Sequence, residues 1–344
     1  MVEVGIVGGT GYTGMELLRL LAVHPDIRVA EITSRGESGV AVEALFPALR
    51  GQLDLVFTEP DMERLSRWDA VFFATPNGTA MQMAPALLEA GCRVVDLGAD
   101  FRLRNAAQWA EWYGMEHTCP DLLKEAVYGL TEVNRDAVAG ARLVANPGCY
   151  PTAVGLGLLP LLEAGAVAAE TVVADCKSGV SGAGRAAKVS TLFGEVNESF
   201  KGYSAGGHRH QPEIEQTMRD LWADTPPVVF TPHLVPMTRG MLATIHVRLA
   251  DPGIDLQRLY EERYRDEGFV DVLPLGSHPE TRWVRGTNHC HIGIHRPAGD
   301  AGHAVIFSAI DNLTKGAAGQ AIQNLNRMLG LDERAGLAPP PALP

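Results

Sequence analysis

The residue with the clearest chemical potential in this chain is a cysteine, Cys149. Prolines and a glycine surround it in the run Asn146–Thr152, and these residues restrict the backbone to a rigid turn. An apolar segment with the composition of a helix follows at Ala153–Leu159. A thiol at the start of a helix lies near the positive end of the helix dipole, which lowers the thiol pKa toward the reactive thiolate. Cys149 is therefore a candidate nucleophile, although free cysteines are also common as small buried apolar residues.

A second candidate cluster contains two histidines, His208 and His210, with Arg209 between them. Pro212 favours the start of a helix just after the cluster. Histidine has a pKa that allows proton transfer near neutrality, and a Cys/His pair distant in sequence is the usual layout of a thiol enzyme. Zinc binding is the alternative, but the chain lacks the CxxC and HExxH elements that would complete such a site. We therefore expect no metal.

Further polar residues are candidates for binding a substrate. Ser178–Arg185 is a loop of small residues ending in a guanidinium. Its backbone N–H groups could hold an anion, and a flexible surface loop is the alternative. Asp100 and Arg102 follow a predicted strand, where substrate contact and a structural ion pair fit equally well. For His233, the sequence fits a position in the cleft and a position in a turn equally well.

A glycine-rich turn near the start of the chain is the clearest positioning element. It follows a predicted buried strand, Val2–Val7, and precedes a helix pattern from Met15. Gly9, Gly11 and Gly14 satisfy GxGxxG, in which glycines permit a tight turn and a close approach to pyrophosphate at the helix amino end. Because the pattern lies between a strand and a helix, it predicts a dinucleotide site rather than a purely structural turn.

The choice of dinucleotide is predicted from the end of the second strand, Ile27–Thr33. NAD-specific enzymes usually carry an acid there that binds the ribose 2′-hydroxyl. This chain instead has Ser34 and Arg35, and a hydroxyl beside a guanidinium suits a 2′-phosphate. NADP(H) is therefore favoured over NAD. Glu31 is the one acid nearby, and its place inside the strand makes ribose contact less favourable.

The pattern of strands and helices predicts an α/β fold. Ala70–Ala74 ends at the turn Thr75–Gly78, and Arg93–Leu97 ends at Gly98–Arg102. Alternating strands and helices form parallel sheets whose ligands bind at the strand carboxyl ends. In the second half of the chain the strands become longer, as in Met241–Val247.

Length and composition limit the class of protein. A chain of 344 residues is too long for one ordinary core, so two domains are expected. The net charge of −12 argues against nucleic-acid binding, which requires a basic face. No apolar run reaches the ~20 residues of a membrane span, and no secretory signal is visible, so we expect no membrane association. The 5 cysteines are widely spaced, which favours a reducing cytoplasm over a disulfide framework.

Taken together, these motifs closely resemble the long-form N-acetyl-γ-glutamyl-phosphate reductases of arginine biosynthesis. The resemblance extends over almost the whole chain and rests on GIVGGTGYTGMELLRLL, GADFRL, NPGCYPT, SGVSGAGR, GHRHQPEI, PHLVPMTRGML and DNLTKGAAGQAIQN. One departure is Asn77, at a position where many relatives carry a histidine.

The resemblance implies a Rossmann NADP-binding domain and a mixed α+β substrate and oligomerisation domain of the aspartate-semialdehyde dehydrogenase type. The first would be discontinuous, comprising residues 1–148 and 311–344, and the second would comprise 149–310. A cytoplasmic homo-oligomer, dimeric or tetrameric, is also implied.

Residue roles follow from the same resemblance. Cys149 matches the family's nucleophile and His210 its acid/base. The substrate-binding set is Arg102, Asn146, Ser178, Arg185, His208 and Arg209. The cofactor-binding set is Gly9, Thr10, Gly11, Tyr12, Thr13, Gly14, Ser34, Arg35, Pro76, Gly182 and Asn312, of which Asn312 would lie near the nicotinamide.

The implied reaction is the NADPH-dependent reduction of an acyl phosphate to a semialdehyde through a cysteine thioester. Two related enzymes remain alternatives: aspartate-semialdehyde dehydrogenase, and a lysine-pathway reductase whose acyl phosphate is attached to an acidic carrier protein. The latter should present a basic docking face, and the net charge of −12 counts against it. A non-catalytic NADP-sensing regulator would have no reason to keep the thiol and imidazole cluster.

Overall fold

The computed structural model describes residues 1–338. The chain forms two compact units, the first from Met1–Pro147 with the described residues from Ala317 onward, the second from Gly148–Gly316. The chain therefore passes between the units at Pro147/Gly148 and at Gly316/Ala317, whereas the sequence-based boundaries were 148/149 and 310/311.

The first unit contains a parallel sheet of seven strands in the order β3-β2-β1-β4-β5-β7-β6. The second contains a mixed seven-stranded sheet in the order β12-β13-β14-β11-β8-β10-β9. The strands are β1 Val2–Val7, β2 Ile27–Thr33, β3 Phe57–Thr58, β4 Ala70–Phe73, β5 Arg93–Asp96, β6 Val127–Tyr128, β7 Leu143–Ala145, β8 Val172–Gly179, β9 Lys201–Gly202, β10 Val228–Val235, β11 Met241–Arg248, β12 Val270–Val272, β13 Cys290–His295 and β14 His303–Ile310.

The helices connect these strands along the chain, except for α12, which follows β14. They are α1 Tyr12–Leu21, α2 Val42–Leu45, α3 Met62–Leu65, α4 Ala80–Glu89, α5 Ala106–Tyr113, α6 Thr131–Ala139, α7 Cys149–Glu163, α8 Phe193–Val196, α9 Gln211–Leu221, α10 Leu256–Tyr264, α11 Thr281–Val284 and α12 Gly319–Met328. Within the described part of the chain, none of them is long and apolar enough to cross a bilayer.

The turn between β1 and α1 depends on close backbone approach. A Cβ on Gly9 would lie 2.2 Å from the Cδ1 of Ile32, and one on Gly14 would lie 2.7 Å from the Gly9 backbone. Larger residues at these positions would therefore push the turn away from β2. The strand, turn and helix have the order that the sequence predicts.

Helix α12 is attached to the first unit largely through buried amides. The Asn324 side chain accepts a hydrogen bond from the Thr131 hydroxyl at 2.8 Å and donates to the Gly129 carbonyl at 2.8 Å. The Gln320 side chain donates to the same Thr131 hydroxyl at 2.7 Å. Because these groups are fully buried, each needs its partner to avoid a large desolvation cost.

The sheet of the second unit has two different faces. Helix α7 packs against β11 and β14, and residues such as Cys176, Ala243 and Ile306 are buried on this side. Residues that alternate with them, such as Asp175 and Thr244, remain partly exposed. The alternation follows from the two-residue period of a strand.

Candidate active site

Cys149 is the first residue of α7, a helix of 15 residues. Gly148 precedes it with extended backbone angles (φ −69°, ψ 156°), and the cysteine is partly exposed. The thiol therefore lies where the helix dipole favours a negative charge and where a reactant can reach it. Cys149 begins a helix, as the sequence predicts.

The turn before Cys149 is held by a residue that the sequence analysis did not single out, Glu213. This buried carboxylate accepts the Gly148 N–H at 2.8 Å. It belongs to the first turn of α9, which begins immediately after His210. The bond therefore links the histidine helix to the cysteine turn. Its position in the first turn of α9 is visible in the sequence, but no local pattern relates it to the cysteine turn.

Both predicted histidines lie beside Tyr150, the residue that follows Cys149. The ring centres of His208 and His210 are each 5.8 Å from that of Tyr150 and 4.9 Å from each other. Phe230 completes the cluster at 5.1 Å from Tyr150. The second unit thus brings together the thiol turn and the two imidazoles.

His208 is neutral at physiological pH. Burial and the charge of Arg209 lower the pKa of His208 to about 4. Its Nδ1 accepts the backbone N–H of His210 at 3.1 Å, so the ring proton lies on Nε2. His208 can therefore donate one hydrogen bond and fix the backbone of His210. Arg209 itself is exposed.

Two tyrosine hydroxyls form a second group in this unit. The Tyr150 hydroxyl donates to the His233 carbonyl at 3.2 Å and lies 3.1 Å from the Tyr203 hydroxyl. Burial raises the pKa of Tyr150, and it raises that of Tyr203 to about 12; the neighbouring Cys149 adds to both shifts. Both hydroxyls therefore stay protonated beside the thiol.

His233 belongs to strand β10 rather than to a turn. Its Nδ1 lies 3.0 Å from an oxygen of Asp175, whose other oxygen lies 3.1 Å from the Lys177 ammonium. This cluster lies on the partly exposed side of the sheet.

The predicted anion loop and Asn312 meet in the second unit. The Asn312 side chain accepts the Gly240 N–H at 2.8 Å and donates to the Ser181 hydroxyl at 2.9 Å. A Cβ on Gly182 would lie 3.0 Å from the Ser178 hydroxyl oxygen, which itself is buried. Asn312 thus fixes this loop. Arg185, later in the loop, is exposed.

Arg102 and Asn146 take part in hydrogen bonds within the first unit. Arg102 is buried and donates to the carbonyls of Asn146 at 2.8 Å and Leu97 at 2.9 Å. The Asn146 side chain donates to the Ala317 carbonyl at 3.0 Å and accepts from Asn324 at 3.1 Å. These contacts join the ends of β5 and β7, and a role in substrate binding stays a prediction.

Asp100 has a capping role. Its carboxylate accepts the N–H groups of Gly78 at 2.8 Å and Met81 at 3.0 Å, which holds the turn before α4. The neighbouring Asp96 is fully buried, and burial together with the charge of Asp100 raises the pKa of Asp96 to about 7. In the same turn, Pro76 is exposed and Asn77 accepts the Ala99 N–H at 3.2 Å.

The predicted cofactor loop has room for a phosphate. Gly11 precedes α1 with extended angles, and apart from its two chain neighbours no described residue lies within 4 Å of a Cβ built on it. Thr10, Tyr12 and Thr13 are partly exposed beside it. The open space beside Gly11 lies at the amino end of α1, where a helix terminus can bind an anion.

The end of β2 has the features expected for a 2′-phosphate. Arg35 is exposed and Ser34 is partly exposed, with the Ser34 hydroxyl accepting the Glu37 N–H at 3.3 Å. Glu31 is buried, and its oxygens accept hydrogen bonds from Thr58 and Trp68, both at 3.0 Å. Glu31 is thus occupied inside the unit.

Comparison with known proteins defines the class first. Residues 3–141 match the semialdehyde dehydrogenase NAD binding domain, and residues 149–312 match the semialdehyde dehydrogenase dimerisation domain. Among solved structures, aspartate semialdehyde dehydrogenase II of Vibrio cholerae complexed with ASA covers 96% of this chain and 98% of its own, with a TM-score of 0.74 and 18% identity. That of Candida albicans with NADP has a TM-score of 0.66 and 16% identity, covering 98% and 99%. The predicted α/β fold of this type is confirmed.

Closer relatives define the family. N-acetyl-gamma-glutamyl-phosphate reductase of Halorhodospira halophila is 71% identical over 98% of each chain. Those of Alkalilimnicola ehrlichii and Pseudomonas aeruginosa are 62% and 59% identical over 100% of each chain. The chain belongs to the N-acetyl-gamma-glutamyl-phosphate reductase family, which confirms the resemblance seen in the sequence motifs.

Proposed function

We propose that the protein reduces N-acetyl-γ-glutamyl phosphate to N-acetylglutamate semialdehyde and phosphate in arginine biosynthesis, with NADPH as reductant. The observation that carries this proposal is the position of Cys149, at the amino end of α7 with two imidazoles against the adjacent tyrosine, in a chain of this reductase family.

The thiol provides the covalent step. The Cys149 thiolate attacks the acyl carbonyl carbon, the bond from that carbon to the phosphate oxygen breaks, and phosphate leaves a thioester. NADPH, when bound, supplies the hydride that reduces the thioester carbon. The Cys149 sulfur then leaves as the carbonyl re-forms, which releases the aldehyde and the thiolate. Dividing one difficult reduction into two steps is the advantage of covalent catalysis.

The surrounding residues handle charge and protons. His210 takes the proton from the Cys149 thiol and returns one to the developing oxyanion. The first N–H groups of α7 stabilise that oxyanion. His208, neutral with its proton on Nε2, supplies a hydrogen bond to the substrate rather than a positive charge.

The first unit fits the dinucleotide. The open space at Gly11 suits the pyrophosphate, and the exposed Arg35 beside Ser34 suits the 2′-phosphate of NADP(H). Glu31, the one acid that would favour NAD, is hydrogen-bonded to Thr58 and Trp68.

The decisive experiment measures NADP⁺ reduction with phosphate and N-acetylglutamate semialdehyde in the reverse direction. Aspartate semialdehyde and a carrier-linked semialdehyde test the two alternative enzymes in parallel. We expect turnover with the N-acetylated substrate. Turnover with the other two should be at least about 100-fold lower, because they leave polar groups of the site without hydrogen-bond partners. Equal or faster turnover with either alternative would replace the proposed substrate.

The nucleophile is tested by Cys149→Ala, with Cys119→Ala as a matched control. Cys119 is partly buried, and burial raises the pKa of its thiol to about 11. We expect Cys149→Ala to abolish turnover while NADPH binding, followed by fluorescence, is retained. Cys119→Ala should behave as wild type. Residual wild-type-like turnover in Cys149→Ala would refute the thioester mechanism.

We also infer a cytoplasmic homo-oligomer. Support comes from the match to a dimerisation domain and from the partly exposed side of the second sheet. Light scattering distinguishes a dimer or tetramer from a monomer.

A further inference from the structure

Gly316 packs closely against Cys149, the proposed nucleophile. Gly316 lies in the π-helical turn Thr314–Ala318, and its N–H donates to the Asp311 carbonyl at 2.9 Å. A Cβ built on Gly316 would lie 2.7 Å from the Cβ of Cys149 and 3.2 Å from its Cα. In a close-packed interior such contacts force atoms to move. The absence of a side chain is therefore what lets this turn touch the cysteine.

A buried ion pair fixes the turn. One oxygen of the fully buried Asp311 accepts the N–H groups of Leu313 at 2.8 Å and Thr314 at 3.0 Å. The other oxygen accepts the Gly286 N–H at 2.7 Å and lies 3.1 Å from the Arg239 Nε. Arg239 also donates to the Thr314 hydroxyl at 3.3 Å. These bonds tie the turn to two other segments of the second unit, so its contact with the thiol residue has a defined position.

We propose that Gly316 is a positioning residue for the Cys149 thiol. The turn packs against the Cα and Cβ of Cys149 at the first position of α7. This contact keeps Sγ at the amino end of the helix. The inference rests on the proposed function, because it assigns the turn to the same nucleophile. π-turns often occur at functional sites, where an inserted residue redirects the backbone. A displacement of about 1 Å at a reacting group costs about 100-fold in rate.

The central variant is Gly316→Ala, which adds one methyl group against Cys149. We expect kcat to fall about 100-fold from misplacement, with the KM for NADPH within about twofold of wild type. Alkylation of Cys149 by iodoacetamide, followed by peptide mapping, should slow about tenfold at neutral pH because the thiol pKa rises as Sγ leaves the helix end. The pH profile of alkylation is the readout that a purely structural role would not move.

Two glycine-to-alanine controls separate positioning from crowding. Gly194→Ala adds a methyl where no described residue outside its own helical turn and chain neighbours lies within 4 Å. Gly157→Ala adds one 2.6 Å from the Cδ1 of Ile245, in the same helix as Cys149 but further along it. We expect the first to match wild type, and the second to lower stability while leaving the alkylation profile unchanged.

A milder pair of variants covers the case in which Gly316→Ala does not fold. Thr314→Ala removes the hydroxyl that accepts from Arg239, whereas Thr314→Ser keeps it. Thr314→Ala should raise the apparent pKa of Cys149 and lower kcat by about tenfold, and Thr314→Ser should restore both.

The possible results have distinct meanings. Wild-type alkylation profiles in both Gly316→Ala and Thr314→Ala, or an equal shift in Gly157→Ala, would overturn the positioning role. A shifted profile in Gly316→Ala, in an enzyme whose wild type does not turn over N-acetylglutamate semialdehyde, would support the positioning role and refute the proposed function.

Discussion

Each compact unit holds the turn before a helix with one buried carboxylate. In the first unit Asp100 accepts the N–H groups of Gly78 and Met81 at the start of α4. In the second unit Glu213 accepts the Gly148 N–H before α7. Both carboxylates are 1% exposed. The same device, a side chain from elsewhere satisfying backbone donors near a helix start, therefore occurs in both units.

The surroundings of the two carboxylates differ. Asp100 lies in a buried polar cluster, in which Asp100 and Arg102 shift the pKa of Asp96 in opposite directions. Glu213 accepts the N–H of Gly148, the residue directly before Cys149. A nearby negative charge opposes ionisation of a thiol, while the helix dipole favours it. A buried carboxylate that accepts turn N–H groups therefore lies in a polar cluster in one unit and beside the cysteine turn in the other.

The largest effect is expected for Glu213→Ala. Loss of the acceptor frees the Gly148 N–H and lets the turn shift, so kcat should fall about 100-fold with NADPH binding retained. Glu213→Gln keeps an acceptor oxygen and should recover most of the turnover, while removal of the charge lowers the apparent pKa of Cys149 in an alkylation profile. If the glutamine variant were as impaired as the alanine variant, the carboxylate would act by charge rather than by position.

A smaller effect, on stability rather than chemistry, is expected for Asp100→Ala. Two buried N–H groups lose a charged partner, so the free energy of unfolding should fall by about 2–3 kcal/mol. The KM for NADPH should rise because the turn Thr75–Gly78 loosens, whereas the alkylation profile of Cys149 stays that of wild type. Urea unfolding and steady-state kinetics measure both. A changed alkylation profile would remove the distinction between the two carboxylates.

A third effect, on how stability depends on pH, is expected from Asp96. Its folded-state pKa of about 7 lies above the ordinary 3.8, so the folded protein binds this proton more tightly than the unfolded chain. The contribution of Asp96 to stability is therefore greatest below about pH 4, declines as the pH rises to about 7, and is constant above that. The free energies of unfolding of wild type and Asp96→Asn, measured across this pH range, test this contribution. The variant should lack the decline in stability with rising pH. An unchanged slope would show that Asp96 ionises normally.

The parts of the site that sequence reasoning predicted depend on local backbone rules. The glycines from Gly9 to Gly14 and the helix start at Cys149 follow from allowed backbone angles and from composition, which neighbouring residues determine. The ending of β2 at Thr33 follows from the same kind of local pattern.

The parts that were missed depend on contacts between distant segments. Glu213 and Gly316 have no local pattern that shows their relation to Cys149, because packing between α9, the turn Thr314–Ala318 and α7 creates it. The substrate role of Arg102 stays a prediction, but the hydrogen bonds from its side chain to the carbonyls of Leu97 and Asn146 were not predicted. Sequence spacing gives the residue's place on the sheet edge but not the direction of a long side chain.

The attachment of α12 through Asn324 has a consequence for synthesis on the ribosome. Thr131, Gly129 and Asn146 are translated early, but their buried partner emerges only after the whole second unit has been made. The first unit therefore cannot complete its hydrogen bonds in the order of translation, in contrast to the usual sequence in which an amino-terminal domain folds first. During that interval water must take the place of Asn324 as the hydrogen-bond partner of these groups.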